Sequence, residues 1–314
     1  MSGPDESSTS QALEDELLGG RREFNRDEVA DLAGVPLERA RRLWVAMGFA
    51  ESEDHQAVMF TWGDVHALRS LAALVAEGVI DPAAEVAVTR AMGQALSRLA
   101  EWQVAMVTPQ MTSSAHSVVP TMAALQSYVW RRHLAAAAGR ALLAPGEALT
   151  RRTLVVGFAD LVGYTSLTRR LEVAELTELL ERFESAAMGA VALGHGWVVK
   201  TVSDEVMFAI EDPAAAARIA LDLHQRVVAD AELPGIRVGM ANGEVLVRFG
   251  DAYGSVVNLA ARLTAAAKAD TVLVDRDLAA ALSTEPGCVL RPLRARRVRG
   301  FHRLTPFTLR RAAP

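Results

Sequence analysis

The stretch TLVVGFADLVGYT, residues 153–165, decides how the second half of this 314-residue chain is organised. Its first six residues, up to Phe158, are rich in the apolar, β-branched and aromatic residues that form a buried strand. Asp160 follows at the end of that strand, and the next residues turn into a helix whose main-chain N–H groups can hold phosphate oxygens. A carboxylate there can hold a hard cation that bridges those oxygens. Taken alone, an aspartate after a strand is usually just a turn or helix-cap residue.

A second polar string, KTVSDE at residues 200–205, lies between two runs that predict strands. A tight turn at Ser203 and Asp204 would bring Asp204 beside Asp160 across the sheet. Two carboxylates a few ångströms apart repel each other and favour a cation between them. Taken alone, Asp204 reads as a plain hairpin-turn residue, and Lys200 as a solvated lysine on an edge strand.

The third string, GDAYGSVVNLAAR at residues 250–262, predicts a helix with two polar residues on one side. Asn258 and Arg262 are four residues apart and therefore share a helix face, while Asp251 precedes the helix. Arg262 offers a planar, permanently charged fork that suits phosphate. Taken alone, this string is an amphipathic helix with an ordinary polar face.

The order of elements after Arg151 predicts the fold class of this half. Strand, helix, strand, strand, helix and strand follow one another, with further elements behind them. That order is typical of a ferredoxin-like split βαβ domain with an antiparallel sheet. The residues before it have helical periodicity, so the whole chain is expected to be α+β, with an all-α domain first.

The three strings together resemble the catalytic domain of the class III adenylyl and guanylyl cyclases, over roughly Thr153 to Leu309. The shared motifs are a strand followed by F-x-D-x-x-G-Y/F-T, then K-x-x-x-D, then D-x-x-G-x-x-V-N-x-A-x-R. The helical first half resembles the regulatory domains of actinobacterial soluble adenylate cyclases. The resemblance implies an adenylate cyclase that converts ATP to 3′,5′-cyclic AMP and pyrophosphate.

The resemblance also implies roles for four of the polar residues. Asp160 and Asp204 resemble the pair that holds two Mg²⁺ or Mn²⁺ ions in each site. Lys200 and Asp251 resemble the base-reading pair, in which the lysine donates to a ring nitrogen of adenine and the aspartate accepts from its amino group. Guanine presents the opposite pattern, so ATP is expected to be strongly preferred over GTP.

The remaining residues of the resemblance handle ribose and phosphate. Asn258 is implied to orient the ribose, and Arg262 to hold the phosphates in the transition state. Arg299, in the string Val298-Arg299-Gly300, is a weaker candidate for a basic group that binds the triphosphate. Ser203 departs from the family, which usually has glycine there, and a serine costs about 1 kcal/mol if that turn needs a positive φ.

The resemblance further implies a quaternary structure. In the family, the metal-binding aspartates come from one subunit and the other site residues from its partner. All six of the core site residues are present in this chain, so it is expected to form a symmetric homodimer with two shared, complete active sites.

Composition restricts the class and the cellular location expected for the protein. A net charge of −5 argues against a mainly nucleic-acid-binding surface, and the single cysteine, Cys288, excludes an internal disulfide framework and a cysteine-based zinc site. The first residues lack the pattern of a signal peptide, and no apolar run reaches the length of a membrane span. A cytoplasmic protein is therefore expected.

Four segments are predicted along the chain. Residues 1–20 are expected to be a disordered acidic lead-in, and residues 21–121 a helical regulatory domain that begins with a MerR-like helix-turn-helix. A polar loop is expected at residues 109–120 within it. A transducing linker helix over residues 122–150 then leads into the catalytic domain, residues 151–314.

The sequence does not identify the signal to which the first domain responds. DNA binding is not favoured, because residues 24–70 carry eight acidic residues against five basic ones. An apolar ligand or a pH change are the alternatives that the resemblance suggests. The competing hypothesis for the whole chain is a non-enzymatic nucleotide-binding or DNA-linked regulator built on a cyclase fold.

Overall fold

The computed structural model describes residues 4–50, 52–143, 151–298 and 301–312. The chain divides into two compact units, Met1–Leu142 and Leu143–Pro314. None of the helices in the described ranges has both the length and the apolar run needed to cross a membrane.

The first unit is helical, as predicted for an all-α domain. An isolated bridge between Phe24 and Phe60 accompanies its helices. The helices are α1 Pro4–Leu18, α2 Arg26–Ala33, α3 Leu37–Met47, α4 Trp62–Ala76 and α5 Glu85–Leu143.

Helix α1 overturns one expectation. It spans Pro4–Leu18, so the disordered lead-in expected over residues 1–20 is wrong for most of that stretch. Proline suits the first turn of a helix, and Ala12, Leu13 and Glu14 are strong helix formers. The acidic composition had outweighed these local preferences in the prediction.

Helices α2 and α3 occupy the segment predicted as a helix-turn-helix. Asn25 caps α2 by accepting from the N–H groups of Asp27 and Glu28. Gly34 ends it in the left-handed region, with φ at 69°. The helices pack over a small apolar core in which the rings of Trp44 and Phe60 stack at 4.5 Å.

Helix α5 differs from the predicted pair of segments. Its assignment runs for 59 residues and covers both the loop expected at residues 109–120 and the boundary expected after residue 121. Gln126 nevertheless donates to Gln103 at 2.8 Å across 23 residues. These residues would lie about 35 Å apart on a straight helix. The helix must therefore bend back on itself between them.

The second unit contains ten strands and five helices in its described ranges. The helices are α6 Tyr164–Leu167, α7 Val173–Leu193, α8 Pro213–Ala229, α9 Ser255–Ala266 and α10 Arg276–Ala281. The strands are β1 Arg151–Leu161, β2 Trp197–Val202, β3 Glu205–Ile210, β4 Ile236–Arg248, β5 Asp251–Tyr253, β6 Thr271–Val274, β7 Cys288–Pro292, β8 Arg296–Val298, β9 Phe301–Leu304 and β10 Phe307–Arg311.

The sheet confirms the predicted split βαβ fold. Seven strands follow the order β2-β3-β1-β4-β6-β10-β7, with β5 paired to β4, and β8 and β9 form a separate ribbon. The first four of these strands, with α7 and α8 as the crossovers, make up the ferredoxin-like core. All pairs in this core are antiparallel, while β6 joins β4 in parallel.

Each face of the sheet has its own apolar core. Val155 and Ala159 of β1 pack with α7 and α8 on one face. Leu154, Val156 and Phe158 pack with α9 on the other. Because side chains alternate along a strand, Asp160 belongs to the α9 face.

Helix α9 lies unusually close to β4. A Cβ atom at Gly239 would come within 2.2 Å of the backbone nitrogen of Thr264, so only glycine fits at this position. The hydroxyl of Thr264 also donates to the carbonyl of Phe158 at 3.3 Å. The helix is thus attached to both β4 and β1, close to where β1 ends.

Asp275 is a buried acid that caps α10. Its carboxylate accepts from the N–H groups of Leu278 at 3.0 Å and Asn242 at 3.2 Å, and the residue is only 3 % exposed. Burial disfavours the charged form and raises the pKa of Asp275 to about 6. The folded state therefore binds this proton more tightly than the unfolded chain does.

Replacing Asp275 with asparagine should change how stability depends on pH. The pKa of Asp275 is higher in the folded state than in the unfolded chain. The unfolding free energy of the wild type should therefore rise by about 1–2 kcal/mol as the pH falls from about 7.5 to 5. The Asp275→Asn variant should lack this gain while keeping an acceptor for the cap. Denaturant unfolding at both pH values measures it.

The matched control is Asp212→Asn, which alters the exposed cap of α8. That variant should keep the wild-type pH dependence. An Asp275→Asn variant whose stability varies with pH as the wild type does would show that the buried carboxylate takes up no proton in this range.

Candidate active site

Asp160 lies at the end of β1 in contact with a second carboxylate. Asp204 lies close enough to Asp160 to act on its ionisation. Burial, together with Asp204, raises the pKa of Asp160 to about 6, even though the neighbouring Arg237 opposes the shift. The structure thus brings these two aspartates together at the end of β1.

The backbone holds Asp204 in place through the turn between β2 and β3. Its carbonyl accepts from the N–H of Leu161 at 3.2 Å, which ties the turn to the end of β1. Ser203, the preceding residue, has φ at 57°. The turn therefore requires the left-handed region that serine adopts only at a cost.

Lys200 and Asp251 also meet, although they are 51 residues apart. The lysine Nζ donates to both carboxylate oxygens, at 2.9 and 2.7 Å. Asp251 Oδ1 also accepts from the N–H of Ala252 at 2.8 Å, which orients the carboxylate. A donor and an acceptor thus stand side by side and satisfy each other.

Asn258 and Arg262 lie one turn apart on α9, as their spacing predicts. Both residues are exposed. The six residues thus form three separate pairs. Within the described part of the chain, no hydrogen bond or ion pair connects one of these pairs to another. Arg299 lies outside the described residues.

Two charged residues beside Asp160 escaped the sequence analysis. Arg237 opposes Asp160 on β4, and Glu205 opposes it on β3. Arg237 donates to Asp160 Oδ2. Burial and Asp204 raise the pKa of Glu205. The signal that could have found Arg237 is the alternation of side chains between the two faces of the sheet along β4. Given the register with β1, this alternation places Arg237 on the same face as Asp160.

The two aspartates could bind a hard divalent cation that takes its remaining ligands from elsewhere. Asp160 and Asp204 supply carboxylate oxygens, which Mg²⁺ and Mn²⁺ prefer. Among the described residues, no group of three or more His, Cys, Asp or Glu is arranged to hold a metal ion. A cation here would therefore complete its coordination with water or with oxygens of a bound ligand.

Two surface cavities of about 570 and 520 Å³ lie elsewhere, along α8. The first is lined by residues such as His224, Asp270 and Arg310. Neither cavity is lined by any of the six predicted core site residues.

This arrangement can now be placed among known proteins. Residues 149–311 match the family described as the adenylate and guanylate cyclase catalytic domain. The chain belongs to this family. The cyclase domain accounts for the whole sheet of the second unit.

Similar proteins extend beyond the cyclase domain. An adenylate cyclase of Streptomyces coelicolor is 44% identical over 287 residues, which are 87% of this chain and 75% of that protein. A Mycobacterium tuberculosis protein named a pH-sensitive adenylate cyclase is 31% identical over 91% of this chain and 78% of its own length. The crystal structure of the adenylyl cyclase CyaB from P. aeruginosa has 22% identity and a TM-score of 0.47, over 52% of this chain and 96% of that one.

Replacing Ser203 with glycine should stabilise the cyclase domain. Glycine adopts a positive φ without the clash that a Cβ atom causes, so the unfolding free energy should rise by about 0.5–1 kcal/mol. Denaturant unfolding of the full chain measures this change.

Ser166→Gly in the short helix α6 is the matched control. Its backbone is helical, so the same substitution should lower stability by about 0.5–1 kcal/mol. Equal effects of the two substitutions would rule out strain at Ser203.

Proposed function

We propose that this protein is an adenylate cyclase that converts ATP to 3′,5′-cyclic AMP and pyrophosphate. The observation that carries the proposal is the contact between Asp160 and Asp204 at the end of β1. Family membership and relatives named adenylate cyclase, from Streptomyces coelicolor and Glutamicibacter nicotianae, support it.

Asp160 and Asp204 would hold two divalent cations, Mg²⁺ or Mn²⁺. In the absence of a cation, Arg237 offsets the negative charge by donating to Asp160 Oδ2. When bound, the cations would activate the ribose 3′-hydroxyl and offset charge on the phosphates. The chain contributes by keeping both carboxylates together on the rigid end of β1 and its attached turn.

Lys200 and Asp251 would read the base. Adenine presents a ring-nitrogen acceptor beside an amino donor, and this pair offers the matching donor and acceptor. Their mutual hydrogen bonds at 2.7 and 2.9 Å keep both groups oriented before the base arrives. Guanine would leave buried polar groups unpaired, which disfavours GTP by a factor on the order of 10³–10⁴.

Asn258 and Arg262 would act on the sugar and the phosphates. Both project from the exposed side of α9, and the helix is anchored to β1 through Thr264. Arg262 can present two N–H groups to phosphate oxygens as negative charge develops. Asn258 would hold the ribose ring. Arg299 stays a weaker candidate for a contact with the triphosphate.

The active site would be shared by two copies of the chain. Asp160 and Asp204 would serve one site, while Lys200, Asp251 and the α9 residues serve the other. Large apolar side chains support such an interface, because several are exposed on or near the edges of this part of the sheet. They are Val202 at 59%, Leu246 at 41%, Phe249 at 49% and Tyr253 at 50% exposure.

The first unit would regulate the cyclase domain through an apolar ligand or a change in pH. A relative that aligns along most of this chain is named pH-sensitive, which supports the pH alternative. The comparison that tests regulation is the activity of the full chain against that of residues 145–314 between about pH 5.5 and 8. Equal activities at every pH would contradict it.

Purified full-length protein supplied with Mn²⁺ and ATP should produce 3′,5′-cyclic AMP, with GTP used on the order of 10³–10⁴ times less efficiently. Chromatography of the products measures both. The double variant Lys200→Glu, Asp251→Ser should lose most of this preference because it removes the match to adenine.

The competing hypothesis makes the opposite prediction for the same assay. A non-enzymatic nucleotide-binding or DNA-linked regulator would bind its ligand but form no cyclic nucleotide. No product from the full chain and none from residues 145–314 would exclude the cyclase proposal.

Complementation tests the shared site. Asp160→Ala and Arg262→Ala should each lower activity by about 10³-fold or more, because each removes a group from both sites of a homodimer. After the two variants are mixed and exchange subunits, each heterodimer has one intact site. Activity should return to about a quarter of the wild-type level.

Two controls accompany that experiment. Asp222→Ala and Arg226→Ala remove an ion pair on α8 and should leave activity unchanged. Differently tagged subunits show by affinity capture whether heterodimers form. Heterodimers without activity would contradict the division of the site between two chains.

A further inference from the structure

Arg237 forms an ion pair with one of the two proposed metal ligands. It lies on β4 directly opposite Asp160, and its Nη2 donates to Asp160 Oδ2. The side chains are 31% and 15% exposed, so solvent screens the pair only partly. This contact occupies a carboxylate oxygen that a divalent cation would need.

The acidic neighbours of Asp160 explain why a positive charge is needed beside it. Asp160 stands in register with Glu205 on its other side and in contact with Asp204. Asp160 therefore has an acidic residue on the neighbouring strand and another in the adjacent turn. Lys200 is held by Asp251, so it is Arg237 that offsets the charge on Asp160.

The guanidinium is incompletely satisfied in this position. Its Nε is buried and has no hydrogen-bond partner among the described residues. Buried N–H groups normally have partners, because leaving one unpaired costs free energy. The ion pair with Asp160 therefore leaves part of the hydrogen-bonding capacity of Arg237 unused.

We propose that Arg237 is the counter-ion of the cation-free site, and that it competes with the divalent cation for Asp160. The inference rests on the proposed function, because it requires Asp160 and Asp204 to bind a divalent cation. When the cation binds, the guanidinium leaves Asp160 Oδ2. Arg237 thereby keeps the carboxylates together without metal and lowers the affinity for the first cation.

Removing the competitor should strengthen metal binding. We expect Arg237→Gln in the full-length protein, at about pH 8 and without nucleotide, to bind Mn²⁺ about tenfold more tightly than the wild type. The signal of free Mn²⁺ in electron paramagnetic resonance titrations measures this affinity. Arg237→Lys, which keeps the charge but loses the planar fork, should change in the same direction by less.

A second measurement addresses the folded state itself. Without metal the Arg237→Gln variant should melt at a lower temperature than the wild type, because its carboxylates have lost their counter-ion. With saturating Mn²⁺ it should gain more thermal stability than the wild type does, because tighter binding stabilises the folded state more. A purely structural role for Arg237 predicts the lower melting temperature without the larger gain. If the Gln variant does not fold, both measurements are made on Arg237→Lys.

Arg151→Gln is the matched control. Arg151 pairs with Glu244 at 3.3 Å across the same two strands, near their opposite end. That variant should bind Mn²⁺ as the wild type does.

The results separate this inference from the proposed function. Unchanged or weaker Mn²⁺ binding by both Arg237 variants would overturn the inference, even if the wild type binds Mn²⁺ and forms cyclic AMP. Wild-type protein whose Mn²⁺ binding is unaffected by Asp160→Asn and Asp204→Asn would overturn the proposed metal site, and with it the inference. Tighter binding by the Arg237 variants, lost when Asp160→Asn is added, would support both.

Discussion

The register of β1 between its two antiparallel neighbours is the constraint on which the cyclase domain depends. Asp160 stands opposite Glu205 on one side and Arg237 on the other, on the face that carries α9. A slip of one residue would turn Asp160 toward the apolar core under α7 and α8. The alternation of apolar side chains along β1 therefore does two things at once. It builds both cores, and it assigns the charged groups to one end and one face of the sheet.

Much of this could be predicted from the sequence because the signals are local. The apolar run before Asp160, the tight turn at Ser203 and the four-residue spacing of Asn258 and Arg262 each describe a few neighbouring residues. The contact between Lys200 and Asp251 is different, because nothing local links residues 51 positions apart. It was predictable only through the resemblance of the whole motif set to a known family.

What escaped prediction depends on long-range geometry or on competing local preferences. Arg237 is the one charged residue in the first part of β4, residues 236–241, and its importance arises only from its pairing with a residue 77 positions away. The reversal of direction within α5 depends on contacts between residues far apart in the sequence, such as Gln103 and Gln126. Helix α1 formed because its helix-forming residues prevail over a composition that is typical of disorder.

The contact at Gly239 has a consequence for the reach of the site. There α9 rests on β4 main chain against main chain, with no side chain in between. Such a contact has no rotamers, so its height cannot adjust when neighbouring residues change. The distance from the sheet to Asn258 and Arg262 is thus limited by the van der Waals contact between the two backbones. Gly239 therefore fixes the separation between α9 and β4. Substitutions elsewhere can alter the chemistry of the site without altering this separation.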